Sequence, residues 1–268
     1  GGKTLTNANA GKATLSVAGT ATVKNGTITG GTSYYNIAVG TEAVPGGNLT
    51  LVDITATAGN TGSSMIDNWG TLTIQSGSYT GGLDVVKNEP TGVLNISGGE
   101  FTLKKGTSKG FTGVVFNYGQ LEITDGTFVQ SHTSAPYGQA QVIHTDKDTK
   151  VGTTPSTKIT GGTFKNLSTS TTAWNVRGTN AAAGCIEVSG GTFNKKVFDS
   201  YMAEGLACVS SNKNYICVKA ATGITLDQTD VTMKVGNTLT LNATVLPDDA
   251  HQAVTWSVSP SKNAAATV

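Results

Sequence analysis

Short segments of alternating apolar and polar residues recur along most of the chain. In "LEITDGTF", Leu121 and Ile123 share one side of a strand, and Glu122 and Thr124 share the other. Gly126 then permits a corner that a side chain would resist, and Phe128 turns back inside. The segment predicts a short strand, a tight corner and a second short strand, with one buried and one solvated face.

The same unit returns at irregular intervals, as "LTIQSGSY", "LNISGGEF", "TKITGGTF" and "IEVSGGTF". Its last apolar position falls at Ile28, Ala56, Tyr79, Phe101, Phe128, Phe164 and Phe193. The spacing ranges from 22 residues, between Tyr79 and Phe101, to 36 residues, between Phe128 and Phe164. Fixed units joined by loops of variable length predict a solenoid of about seven coils, with the loops on one flank.

A second element precedes several of these units. "SMIDNWG", "DVVKNEPTG" and "GVVFNYG" each carry an apolar pair followed by an asparagine, at Asn68, Asn88 and Asn117. We expect these asparagines to form corners with a left-handed backbone and to bond one another as a ladder between adjacent coils. Trp69 and Tyr118 occupy the same place, directly after the asparagine.

This pattern resembles the right-handed parallel β-helix proteins, and especially the glycine-rich "ISGGTF" repeats of large surface proteins from gut Firmicutes. The resemblance covers residues 1–198 and implies a right-handed parallel β-helix there. Residues 199–221 break the pattern, and we expect them to cover the open end of the solenoid with a hairpin. In those surface proteins a similar "YMAEG" segment and hairpin follow the last unit.

The sequence pattern changes again from Thr222 onward. "LTLNATVLP" and "VTWSV" resemble the bacterial Ig-like domain of group 2. The resemblance implies that residues 222–268 are the N-terminal part of a β-sandwich, whose core is then incompletely covered, and that the parent protein is longer. Domains of this family act as stalks or adhesive modules on cell surfaces and also occur on phage virions. The predicted fold class is therefore all-β throughout.

Two of the three cysteines are predicted to face each other. In a hairpin that turns at Asn212 and Lys213, Cys208 and Cys217 form a non-hydrogen-bonded pair, where side chains lie closest. Two interpretations remain open: a disulfide, which would indicate an oxidising location, and a pair of packed thiols. Cys185 has no evident partner, and the three cysteines lack the spacing of a zinc site.

Composition and charge exclude several classes of function. Charged residues make up 13% of the chain and the net charge is +1, so neither nucleic acid nor an anionic membrane is expected as a partner. The sequence contains no run of about 18 apolar residues, so no membrane span is predicted. No cofactor or metal is expected. The chain begins at "GGKTLT" without an initiator methionine, and we expect it to be a piece of a longer polypeptide.

The sequence does not predict a catalytic cluster. Polysaccharide lyases and hydrolases built on β-helices need clustered acids, or calcium-binding acids with a base, whereas the acids here are scattered and Arg177 is the single arginine. The nearest approach is the column Asp67, Lys87 and Phe116, interpreted as an exposed ion pair between coils. "HTDKD", residues 144–148, is interpreted as a solvated loop, with a metal site as the alternative.

Aromatic residues are the better indication of function. Trp69, Tyr118 and Trp174 are candidates for binding sugar rings, and the alternative is that they pack on loops. The leading hypothesis is a non-enzymatic, monomeric, extracellular rod of adhesin type, which stands on Ig-like stalk domains and binds glycans or host surface molecules. The second hypothesis is a phage fibre or decoration protein, trimeric if a fibre. The third is a polysaccharide lyase or hydrolase.

Overall fold

The protein is built almost wholly of β-strands. The computed structural model describes residues 2–7, 9, 11–30, 34–58, 62–104, 112–133, 140–234 and 236–257. Within these ranges the regular structure consists of β-strands and one turn of 3-10 helix, Asp199–Tyr201, so the predicted all-β class is confirmed. In the described part of the chain, no helix has the length and apolar character needed to cross a bilayer.

The described strands form three sheets. The first sheet contains β1 (Lys3–Thr6), β3 (Thr20–Thr29), β5 (Asn48–Thr57), β7 (Thr71–Ile74), β8 (Gly77–Thr80), β10 (Val93–Leu103), β12 (Gln120–Gln130), β14 (Ser156–Ile159), β15 (Thr163–Asn166), β17 (Ile186–Val188), β18 (Thr192–Phe193), β19 (Leu206–Ser211) and β20 (Asn214–Lys219). The second contains β2 (Leu15–Val17), β4 (Ile37–Val39), β6 (Ile66–Asn68), β9 (Val86–Asn88), β11 (Thr112–Asn117), β13 (Ala140–Asp146) and β16 (Val176–Thr179). The third contains β21 (Gly223–Leu226) and β22 (Ala243–Leu246).

The repeated units pair with one another in parallel and in register. Leu121 lies opposite Leu94, and Phe128 lies opposite Phe101. In "LEITDGTF" the chain forms one continuous strand, β12, so the predicted interruption is wrong there; separate strands do occur at β7 and β8. The predicted corner is instead an irregularity in the pairing of β10 with β12, where Gly126 has a φ of +121°. An irregularity of this kind bends a strand without ending its ladder.

A column of stacked rings fills the core beside the first sheet. The rings belong to Tyr79, Phe101, Phe128, Phe164 and Phe193, all fully buried. Successive ring centroids lie 4.8 to 5.0 Å apart and successive ring planes differ by 5° to 11°. This spacing matches the distance between hydrogen-bonded strands, so the backbone ladder sets it. Pairing of Ile28 with Ala56 and of Ala56 with Tyr79 extends the column, and the predicted alignment of all seven positions is confirmed.

The asparagines form the predicted ladder. Asn68 Nδ2 donates to Asn88 Oδ1 at 2.7 Å, and Asn88 Nδ2 donates to Asn117 Oδ1 at 2.8 Å. The predicted left-handed backbone is wrong, because none of these three residues has a positive φ. The corner is made by the side chain instead: Asn117 Oδ1 accepts the backbone N–H of Gly119 at 3.0 Å, as in an Asx turn.

A hairpin follows the last repeated unit. β20 pairs antiparallel with β18, so that Tyr215 lies opposite Phe193, and β19 is hydrogen-bonded to β20. The predicted two-residue turn is confirmed, since Asn212 and Lys213 both have the positive φ that such turns require. The chain divides into two compact units, residues 1–204 with 208–217, and residues 205–207 with 218–268. The predicted domain limits at residues 198 and 221 stay predictions.

The second unit has little regular structure among its described residues. β21 and β22 pair antiparallel, and Val245 and Ala250 are buried. Ile224 and Met233 are exposed, at 58% and 47% of their surfaces. Exposure of apolar positions that alternate with polar ones agrees with the expected incomplete sandwich core. Val235 and residues 258–268, which carry part of the Ig-like pattern, lie outside the described residues.

The three cysteines are free thiols in this structure. Cys208 is buried and Cys217 is half-buried. Burial, and then the neighbouring Cys208, raise the pKa of Cys217 to about 11. The disulfide between them therefore stays a prediction for an oxidising environment.

Replacing one ring of the aromatic column should destabilise the fold strongly. Phe128→Ala removes a fully buried ring with stacked neighbours on both sides, and we expect the free energy of unfolding to fall by about 3–5 kcal/mol. Glu122→Ala, an exposed position on the same strand, should change it by less than about 0.5 kcal/mol. Denaturant unfolding of the intact chain measures both, and a loss below 1 kcal/mol for Phe128→Ala would contradict the packing argument.

Oxidation should link Cys208 to Cys217 and spare Cys185. Because thiolates are the reacting species and the pKa of Cys217 is raised, the exchange with oxidised glutathione should be run at mildly alkaline pH. Titration of thiols in denaturant should then give one free thiol in place of three. The Cys217→Ser variant should keep both of its thiols. Three thiols remaining in the oxidised wild-type chain would favour the packed-thiol interpretation.

Candidate functional site

A row of side chains crosses the outer face of the second sheet. The pairing register places Ala38, Asp67, Lys87, Phe116 and His144 side by side on five successive strands. Side chains alternate between the two faces of a strand, so the residues flanking this row point into the core. The predicted column of Asp67, Lys87 and Phe116 is thus confirmed, and it extends at both ends.

A second row runs parallel to the first, two residues further along the chain, at or just beyond the ends of the strands. It contains Trp69, Glu89, Tyr118 and Asp146. The backbone ladder continues through it, because Glu89 N donates to Asn68 O at 2.9 Å and Tyr118 N donates to Asn88 O at 2.7 Å. Neighbouring members therefore lie one strand apart, about 4.8 Å. Glu89 occupies the place between Trp69 and Tyr118.

These rows border two adjoining cavities, of about 590 and 310 Å³. Tyr35 and Lys87 line both cavities. Trp69 lines the larger cavity, and Phe116 and Tyr118 line the smaller. We call the two cavities together the aromatic cleft, after Tyr34, Tyr35, Trp69, Phe116 and Tyr118, which all line it.

Two acids meet in the larger cavity. Asp67 is only 5% exposed and Glu89 only 4% exposed. Trp69 Nε1 donates to Asp67 Oδ2 at 3.1 Å, whereas Asp67 Oδ1 has no donor among the described residues. The carboxyl groups of Asp67 and Glu89 lie within hydrogen-bonding range, so a proton held between them completes the contact. Burial, the charge of Glu89 and this bond raise the pKa of Asp67 to about 7.

Lys87 pairs with Glu89, the acid next to it in the second row. Its Nζ lies 2.5 Å from Glu89 Oε1 and 5.5 Å from the centroid of the Tyr118 ring. Burial lowers the pKa of Lys87, but the Glu89 carboxylate outweighs burial and the pKa is raised overall. The interpretation of Asp67 and Lys87 as an exposed ion pair is wrong, because Asp67 is buried and the lysine reaches Glu89 instead.

His144 is a buried residue of the second sheet rather than part of a solvated loop. It lies in β13, is fully buried, and stacks on Phe116 with ring centroids 4.5 Å apart. Burial, and then Arg177, lower the pKa of His144 to about 3, so the ring is neutral at physiological pH. The predicted loop is wrong for residues 144–146, which belong to β13, whereas Lys147 and Asp148 follow that strand. Across the described ranges, no group of three or more His, Cys, Asp or Glu side chains is arranged to hold a metal ion.

The structure separates Trp174 from the other two aromatic candidates. Trp69 and Tyr118 lie in one row and both line the aromatic cleft. Trp174 packs on Phe198, with ring centroids 4.7 Å apart, and its backbone N–H donates to Gln141 Oε1 at 2.7 Å. Trp174 is not among the described residues that line the cleft, and its contacts are those of a packed side chain.

Several residues of the cleft were not predicted as site residues, and Glu89, Tyr35 and Asp84 are three of them. Glu89 follows Asn88 as Trp69 follows Asn68, so the alignment of the asparagines carried the signal for it. Tyr35 lies in a segment without a repeated pattern, and Asp84 opens the repeated element "DVVKNEPTG" at a position where the other copies have no acid. Asp84 is 3% exposed and accepts the N–H of Gly113 at 2.8 Å; burial raises its pKa to about 6.

Comparison with protein families identifies one segment of the chain. Residues 220–268 match the model of the bacterial Ig-like domain (group 2), which supports the resemblance found for residues 222–268. Such domains are common in bacterial surface proteins. Comparisons with curated proteins and with solved structures gave no match. The aromatic cleft lies outside the matched segment, so its role rests on its own geometry.

The Asp67 carboxyl should make folding stability depend on pH. Its pKa, about 7, lies above the ordinary value of 3.8, so between these values the folded chain binds more protons than the unfolded chain. The contribution of Asp67 to stability should therefore fall by about 1–4 kcal/mol as pH rises from 4 to 7.5. Asp84, whose pKa is raised to about 6, contributes in the same direction, whereas His144, whose pKa is lowered to about 3, contributes in the opposite direction.

Asp67→Asn should remove this contribution and leave the parts due to Asp84 and His144. The asparagine keeps an acceptor for Trp69 Nε1 and supplies a donor toward Glu89, so the variant should fold. Denaturant unfolding of the intact chain between pH 4 and 8 measures the slope. Glu122→Gln, an exposed acid on the first sheet, is the matched control. Identical slopes for wild type and Asp67→Asn would show that the pair does not hold the extra proton.

Proposed function

We propose that the chain is the glycan-binding part of a non-enzymatic bacterial surface protein. In this proposal residues 1–198 form a right-handed parallel β-helix that carries the aromatic cleft, residues 199–221 cap it, and the Ig-like segment belongs to an extracellular stalk. The observation that carries the proposal is the row in which Trp69 and Tyr118 flank Glu89 along the cleft.

The strand order supports the β-helix. From β4 to β13 the chain passes back and forth between the two large sheets, and each passage adds the next parallel strand to each sheet. Parallel strands need long connections, which a helical winding of the chain supplies. The columns of identical core residues are the packing expected when each coil presents the same shape to the next.

The side chains of the cleft support a sugar as the ligand. The faces of Trp69 and Tyr118 offer flat apolar surfaces, on which the C–H face of a sugar ring can stack. Carboxylates beside them accept hydrogen bonds from sugar hydroxyls, and Lys87 donates them. A concave site with aromatic walls and a few polar groups is the usual form of a small-molecule site.

The spacing of Asp67 and Glu89 supports binding rather than hydrolysis. Glycoside hydrolases place their two carboxyl groups about 5–5.5 Å apart or about 6.5–9.5 Å apart, so that the scissile bond fits between them. Asp67 and Glu89 instead lie within hydrogen-bonding range of each other. Such a contact leaves no room for a glycosidic oxygen between the two groups.

Replacing the cleft aromatics should weaken glycan binding. A glycan array probed with the intact chain would identify the ligand, and calorimetry would then compare variants. Trp69→Ala and Tyr118→Ala should each weaken binding about tenfold, because each removes a stacking surface. Trp174→Ala and Trp256→Ala, which change tryptophans outside the cleft, should bind as the wild type does.

Three results would count against this proposal. Equal losses in the cleft variants and the Trp256→Ala control would remove the cleft from binding. Release of reducing or unsaturated ends from pectins, host glycans or capsular polysaccharides would indicate an enzyme. A stable trimer in solution would favour a phage fibre.

A further inference from the structure

The aromatic cleft carries a surplus of acidic side chains. The whole chain is nearly balanced, with 18 basic and 17 acidic residues. Two lysines, Lys87 and Lys150, line the cleft. Six acids line it: Glu42, Asp67, Asp84, Glu89, Asp146 and Asp148. More than a third of the acids of the chain are thus gathered around two cavities, and their field favours a cationic ligand.

One oxygen of a buried acid in the cleft receives no hydrogen bond from a donor group of the described residues. This oxygen is Oδ1 of Asp67, which is 5% exposed and lines the larger cavity. A buried carboxylate oxygen without a donor is costly. Lys87, the nearest cation, is engaged with Glu89 at 2.5 Å. In the free chain a proton shared with Glu89 satisfies this oxygen. A ligand that brings its own N–H donors and positive charge can take the place of that proton.

We propose that the cleft binds glycans that carry free amino groups, such as oligomers of unsubstituted hexosamine, and not their N-acetylated or neutral counterparts. This inference rests on the proposed glycan-binding function and names the chemical class of the ligand. The ammonium group is placed beside Asp67 and Glu89, which line the larger cavity, and the ring lies against Trp69 or Tyr118. N-acetylation removes the charge and so removes the advantage of the acidic cleft.

The geometry favours an amino sugar over a basic peptide. Along the second row, carboxylates alternate with flat aromatic faces at steps of about 4.8 Å, in the order Trp69, Glu89, Tyr118 and Asp146. In an amino sugar the apolar ring face and the cation belong to one rigid ring, so both are presented at this short spacing. A lysine side chain carries its charge at the end of a flexible stem and loses more rotamer entropy on binding.

The test compares four ligands on the intact chain by calorimetry at pH 6, where the sugar amine is protonated. The ligands are hexamers of glucosamine, N-acetylglucosamine and glucose, and hexalysine. The glucosamine hexamer should bind at least tenfold more tightly than either of the other sugars. Raising the salt from 0.1 to 0.5 M should weaken its binding severalfold, because screening reduces the attraction of the exposed Glu42 and the half-exposed Asp146 and Asp148 at the cleft.

Variants separate charge from stacking. Glu89→Gln should reduce the preference for the free amine to less than about threefold. Glu187→Gln, on an exposed position of β17 in the first sheet, should leave the preference unchanged. Trp69→Ala should weaken binding of every sugar that binds. Circular dichroism checks that each variant keeps the fold.

Each other outcome overturns a stated part of the argument. Equal binding of the glucosamine and N-acetylglucosamine hexamers would overturn the inference and leave the proposed function standing. An unchanged preference in Glu89→Gln would also overturn the inference, because the acids would not select the ligand. Tighter binding of hexalysine than of any sugar would overturn both. Absence of binding to all four hexamers and to the glycan array would overturn both the inference and the proposed function.

Discussion

Parallel pairing in register is the constraint on which the rest of this structure depends. Each strand of the two large sheets lies one hydrogen-bonded step from the equivalent strand of the next repeat, so each inward side chain rests on its own counterpart. Flat rings tolerate this arrangement because they stack at the same distance as the strands. Asparagine amides tolerate it because each carries both donors and acceptors and bonds the next amide. A column of ionised side chains would repel itself.

Outside the core the same register brings unlike residues together. The outer rows need not repeat, so Asp67, Lys87 and Phe116 can follow one another on neighbouring strands. Unlike groups are thereby held about one strand spacing apart without any flexible element. Strand pairing therefore fixes the positions of the cleft residues. Their identities, which strand pairing does not constrain, determine the chemistry of the cleft. Its cost is the burial of carboxyl groups, visible in the raised pKa values of Asp67 and Asp84.

The sequence predicted what is periodic and missed what is not. The column through Phe128, the asparagine ladder and the shared row of Trp69 and Tyr118 all follow from aligned repeats. Burial of Asp67 could not be predicted, because segments around Tyr35 and beyond Asp146, which have no repeated pattern, help to enclose the cleft. His144 was assigned to a loop because β13 carries Thr145 at the place where the preceding strands carry asparagine.

The ladder also determines how such a chain can change over generations. Tyr79 and Phe101 occupy equivalent positions 22 residues apart, so loss of residues 80–101 would place Tyr79 on Phe128 and Asn68 beside Asn117. The interior would close over the gap with ring against ring and amide against amide. The outer row would lose Glu89 and bring Trp69 next to Tyr118. Duplication or deletion of whole units thus rewrites the outer surface in steps while the interior is inherited intact.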